Sequence, residues 1–184
     1  MPGVEESAGR RARWLLAIAL WCGVGLALAA APPVSQEPPV RLIDEKDLDK
    51  VLKSHQGKVV LVDFWATWCE SCVENFPHTV KLHHDLANKG LAVLGVSMDE
   101  PEDAPQVRKF LASKKAAFEN FQSRLGGSSD ESMARFQIRN GTLPHLRLYD
   151  RAGKLRKVFP PEGGKKLDPK AIEREVRSLL AEPP

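Results

Sequence analysis

The stretch "KVVLVDFW" runs directly into "ATWCESC", and this junction constrains the fold more than any other feature. "KVVLVDF" is a near-continuous apolar run of strand length that Asp63 interrupts. Such a run predicts a strand covered on both faces. A helix follows from about Cys69 to Lys89 and ends at Gly90, a residue suited to a left-handed stop. "LAVLGVS" is the next buried strand. With the helix as a crossover, the two strands must pair in parallel.

The flanking segments extend this pattern. A short helix starts at Asp44, with Leu48, Val51 and Leu52 at helical spacing and Gly57 closing it. Downstream, "DEPEDAPQVRKFLASKK" places Val107, Phe110 and Leu111 on one helical face. "AAFENF" is a candidate short strand, Gly126 to Asp130 a loop, and Asp130 to Phe136 a brief helix. "LRLYD", "RAG" and "KLRKVF" read as a β-hairpin with a turn bearing Asp and Gly. A last helix has Asp168 as N-cap and Pro169 at its first position. Its apolar stripe is Ile172, Val176, Leu179 and Leu180. Strands alternating with helices and ending in a hairpin predict an α/β sandwich.

The N-terminus reads differently. Arg10, Arg11 and Arg13 precede an uncharged apolar stretch from Trp14 to Ala31, and the proline-rich "PPVSQEPP" follows. These are the parts of a secretory signal, and the run is also long enough for an uncleaved anchor. With the basic flank on the cytoplasmic side, either outcome exports the rest of the chain. The expected organisation is a signal or anchor at 1–31, a linker at 32–40 and one domain at 41–184. A formal net charge of +3 is too small to imply a nucleic-acid partner.

The sequence contains 3 cysteines, and Cys22 belongs to the apolar stretch. Cys69 and Cys72 are therefore the only dithiol the domain can form. Cys69 falls where a buried strand becomes a helix. There the unpaired backbone N–H groups and the positive end of the helix dipole favour a thiolate. Cys69 is outermost and suited to attack; Cys72, one turn in, is suited to resolve a mixed disulfide. A structural disulfide is the plainer alternative, although closing so short a loop adds little stability. A metal site would recruit His78 and His83. Cys72 and His83 lie roughly 16 Å apart along one helix, too far for a shared ion.

"VVLVDFWATWCESC" resembles the active-site strand and turn of thioredoxin-like proteins, whose W-C-x-x-C motif is highly specific. The resemblance extends from about Arg41 to Leu180. Pro77 matches the proline that kinks the family's active-site helix, and Pro144 in "TLPH" matches its cis-proline. The export signal and the extra segment between Ser97 and Phe121 are similar to the TlpA/ResA branch, thiol–disulfide oxidoreductases outside the cytoplasm. The fold implied is a three-layer sandwich, with a mixed central sheet and helices on both faces. Two positions depart from that branch. Ser71 replaces a proline, and Asn75 stands where a glutamate precedes F-P, so that glutamate's role does not carry over.

Individual residues then acquire candidate roles. Asp63 in a buried strand should have a raised pKa, which suits a base that deprotonates Cys72; the plainer reading pairs it with Lys58 or Lys89. Glu70 beside Cys69 opposes the helix dipole and argues against an extremely acidic thiol. Trp65 reads as core and Trp68 as an exposed docking rim. The resemblance implies that Leu143, before a cis Pro144, offers backbone groups to an extended substrate. His145 is divided between tuning the thiolate and lying on the surface. His55, His78, His83 and His84 read as helix-surface residues. Lys154, Arg156, Lys157, Lys165 and Lys166 read as a solvated face.

The resemblance implies a reductase of protein disulfides with catalytic Cys69, Cys72 and Asp63, a substrate-binding Trp68, Leu143 and Pro144, no organic cofactor and no metal. Implied partners are exported disulfide-bearing proteins, including apocytochrome c, and a membrane thiol electron donor. A disulfide-forming oxidase or isomerase is the nearest rival. A peroxiredoxin-type peroxidase fits less well, because the tryptophan-flanked pair does not resemble its motif. A non-catalytic binding module or metallochaperone is the alternative from another class.

Overall fold

The computed structural model describes residues 39–127, 129–138, 141–160 and 166–183. The expected signal or anchor at 1–31, Cys22, most of the linker and Lys165 lie outside them.

The strands are β1 (Arg41–Ile43), β2 (Val59–Trp65), β3 (Leu91–Ser97), β4 (Glu119–Ser123), β5 (His145–Tyr149) and β6 (Leu155–Phe159). The helices are α1 (Glu45–Ser54), α2 (Glu70–Leu86), α3 (Ala104–Lys114), α4 (Asp130–Arg135) and α5 (Pro169–Ala181). One mixed sheet has the order β1-β4-β3-β2-β5-β6. β1, β4, β3 and β2 run parallel, β5 is antiparallel to β2, and β6 is antiparallel to β5. Every residue of β2 and β3 is buried, which explains why both read as near-continuous apolar runs.

Alternation along β2 sends consecutive aromatics to opposite faces. Trp65 meets Phe76 of α2 and Phe110 of α3, each at 4.7 Å between centroids. Phe64 faces the other layer, where Phe136 and His145 approach its ring at 5.9 and 5.8 Å. The expected sandwich is present. Its two aromatic clusters grip the strand that leads to the cysteines.

Helix boundaries follow local chemistry. Asp44, Ser129 and Asp168 cap α1, α4 and α5 by accepting the N–H of Asp47, Ser132 and Lys170 at 2.9, 3.2 and 3.0 Å. Asp168→Ala should lower stability by about 1 kcal/mol. A fall in the urea midpoint at unchanged slope is the expected readout.

Two expectations need correction, and one strand was not anticipated. The helix after Cys69 ends at Leu86; a 3-10 turn over Ala87–Lys89 leads to Gly90 at φ 98. The strand expected in "AAFENF" starts later, because Asn120 donates its side-chain N–H to the Ala116 and Phe118 carbonyls and holds the approach as a turn. β1 went unpredicted: three residues following prolines carry too little pattern, yet they pair with Phe121 to Ser123.

Candidate active site

The C-terminal end of β2 delivers Ala66, Thr67 and Trp68 as a tight turn in which Cys69 N–H donates to the Ala66 carbonyl at 3.2 Å. Cys69 is the N-cap of α2, in extended conformation, and its Sγ accepts the N–H of Cys72 at 3.2 Å. The position usually held by a Ser or Asp oxygen is thus held by the sulfur. The pair is joined as a disulfide, with Cα atoms 5.2 Å apart. Cys69 is 8% exposed and Cys72 2%. The outer sulfur also lies 3.6 Å from Ser71 Oγ, on the residue that replaces the branch's proline.

On β2, Asp63 is 4% exposed and accepts a hydrogen bond from Thr79 Oγ1 at 2.7 Å. Burial pushes its carboxyl up to about 6, against the opposing effect of the Thr79 hydroxyl. Neither Lys58 nor Lys89, the salt-bridge partners considered above, pairs with it. Thr79 itself was missed; on α2 it reads as one more polar helical residue.

The Leu143–Pro144 bond is cis. A cleft of about 110 Å³ is lined by Ser71, Asn75, Leu143, Pro144, Pro160 and Lys166, among others. Asn75 donates to the Ser71 carbonyl at 2.7 Å and leaves this wall without an acid. Lys166, exposed as expected, also borders the cleft. Trp68 is 57% exposed, whereas Trp65, at 1%, is core.

His145 is not on the surface: it is buried on β5, and its Nε2 accepts from Arg147 Nε at 3.2 Å. Arg147, also buried, stacks on Phe64 at 4.9 Å and donates to the Phe136 carbonyl. This cation on a hairpin strand was missed, because a strand arginine ordinarily reads as solvent-facing. Of the helix-surface histidines, His84 is exposed, while His55, His78 and His83 are half-buried. His55 pairs with Glu119 at 2.9 Å. His83 turns its ring edge toward Phe118 at 5.5 Å, and burial holds it and His78 below the usual histidine range. Among the described residues, no three His, Cys, Asp or Glu side chains are grouped to hold a metal ion. No helix among them is long and apolar enough to cross a membrane.

Chemically, the arrangement offers a dithiol at a helix N-terminus, a buried acid raised to about 6, and a small cleft bordered by Ser71, whose hydroxyl lies 3.6 Å from the outer sulfur. Known proteins carry similar chains. The chain is 26% identical over 152 residues to a protein named thiol-disulfide oxidoreductase ResA from Geobacillus kaustophilus, covering 79% of this chain and 76% of that one. It is 36% identical over 130 residues to the protein DipZ of Mycobacterium tuberculosis, a match to 70% of this chain but 18% of DipZ. Its fold matches that of a thioredoxin-family thiol:disulfide interchange protein from Chlorobium tepidum with a TM-score of 0.55. That match has 21% identity and covers 70% of this chain and 84% of the other. The family model described as AhpC/TSA matches residues 31–158, most of the sequence, and the chain belongs to that family.

Proposed function

We propose that this protein is an exported thiol–disulfide oxidoreductase that reduces disulfides in other exported proteins. The observation that carries the reading is the Cys69–Cys72 pair at the start of α2, backed by the buried Asp63. The thiol–disulfide oxidoreductase named among the relatives supports the reaction class, and the basic, apolar and proline-rich N-terminal sequence supports export.

Cys69 thiolate attacks a client disulfide, forming a mixed disulfide and releasing one client thiolate. Cys72 gives its proton to Asp63 and attacks Cys69 Sγ. The second client thiolate leaves, and the Cys69–Cys72 disulfide remains. The client gains two electrons and the enzyme loses two, so a membrane thiol donor must restore the dithiol. Trp68, Leu143 and Pro144 line the client's approach. Apocytochrome c is one client class that the family resemblance implies.

The direction of electron flow rests on electrostatics. The helix N-terminus favours the Cys69 thiolate, but Glu70 opposes it and no basic residue lies within the motif. A dithiol without further thiolate stabilisation remains a reductant. Equilibration against a dithiothreitol series should give a potential of roughly −200 to −280 mV. A value near −120 mV would transfer the protein to the oxidase reading. Insulin reduction tests thiol activity, and metal content of the reduced protein tests the metallochaperone reading.

A further inference from the structure

Asp99 lies where β3 leaves the sheet, and none of its surface is exposed. Its carboxylate accepts the Thr67 backbone N–H on both oxygens, at 3.1 and 3.0 Å, and the Thr67 hydroxyl on Oδ1. Ser97 Oγ donates to Oδ2 at 2.6 Å. Among the described residues no cationic side chain pairs with it. Burying a carboxylate on neutral donors alone is costly unless its lone pairs are engaged, and here three of the four contacts come from Thr67, in the turn two residues before Cys69.

Other contacts hold the carboxylate in place. Met98 N–H donates to the Trp65 carbonyl at 2.7 Å, and Ser97 Oγ accepts the Asp99 N–H at 3.0 Å. Gln122, fully buried on β4, donates its side-chain N–H to the carbonyls of Asp99, at 3.3 Å, and Glu100, at 2.5 Å. From α3, Gln106 Nε2 donates to Thr67 Oγ1 at 3.0 Å. Thr67 is thus held between Asp99 and Gln106, both from the extra segment between β3 and β4.

We propose that Asp99 is a positioning residue for the nucleophile. Through Thr67 it fixes the turn that seats Cys69 as the N-cap of α2, where its sulfur faces the Cys72 N–H. The extra segment thereby acts on the reactivity of the outer thiol without touching the client. The inference rests on the proposed function only in taking Cys69 as the attacking sulfur.

Its test needs no client. The rate of iodoacetamide alkylation of Cys69 in the reduced full-length protein is followed against pH for wild type, Thr67→Val, Thr67→Ser and Asp99→Asn. Thr67→Val keeps the backbone N–H bonds but loses the hydroxyl; its neutral-pH rate should fall about tenfold and its profile move to higher pH. Thr67→Ser, which keeps the hydroxyl, should restore both. Asp99→Asn should alter the profile too; should it fail to fold, the two Thr67 variants still decide. Thr67→Val alkylating with the wild-type rate and profile would overturn the inference. So would Thr67→Ser matching Thr67→Val, because the hydroxyl would then have no part. Failure of the reductase reading would appear in the reduction potential and leave these rates unchanged.

Discussion

Cys69→Ser is expected to abolish reduction of protein disulfides, with loss on the order of 10³-fold or more, because no other thiol in the domain occupies a helix N-terminus. Cys72→Ser should behave differently. It retains the attacking sulfur and lacks the resolving one, so client proteins should accumulate as mixed disulfides. These appear on non-reducing gels and disappear with dithiothreitol. Alkylation of the reduced wild type should modify Cys69 well before Cys72, in line with 8% against 2% exposure. Equal labelling of the two thiols, or trapping by Cys69→Ser, would reverse the assignment.

Asp63→Asn should slow resolution at neutral pH by on the order of 10²-fold and leave initial attack much less affected. The same substitution has a thermodynamic signature. Burial raises the Asp63 carboxyl from an ordinary 3.8 to about 6, so the folded protein keeps a proton that the unfolded chain has already released. Stability contributed by this group therefore falls as pH rises from about 4 to about 6 and stays lowered above that range. The gap corresponds to about 3 kcal/mol. Asp63→Asn should be more stable than wild type at pH 8, by up to that amount, and should converge with it below pH 4. Urea unfolding at both pH values separates the outcomes. Identical resolution rates and parallel stability profiles would make Asp63 a structural residue and put the proton acceptor elsewhere.

The parts of the fold legible in the sequence were those with strong local chemistry. β2 and β3 are central, so both faces are apolar, and Asp63 stood out as the one charge in the β2 run. Asp44 and Asp168 announced their helices by capping chemistry that depends only on near neighbours. β4 was displaced in the reading because Gln122 and Ser123 are buried polar residues and break the expected apolar pattern. At the candidate site, the cysteines and Asp63 were legible from one contiguous motif. Thr79, Asp99 and Arg147 were not: each becomes significant only through a partner at least 11 residues away, as in Thr79 with Asp63 or Arg147 with the Phe136 carbonyl. Polar residues that serve tertiary networks leave no periodic trace.

The two edges of the sheet bear on which parts of an unfolded client can be bound. Partly folded polypeptides readily add as an extra strand to an open sheet edge, and such capture away from the dithiol would be unproductive. On one side β1 is only three residues long, too short a template for stable addition. On the other, β6 presents Arg156 and Lys157, held by Glu182 at 3.0 Å and Glu175 at 3.5 Å, both contributed by the C-terminal helix segment. A client strand laid along β6 would have to displace or desolvate those ion pairs to gain its backbone hydrogen bonds. Lateral adhesion is thereby discouraged at both margins, which would leave the end of the sheet bearing Trp68 and Cys69 as the place where the proposed reductase meets unfolded chains.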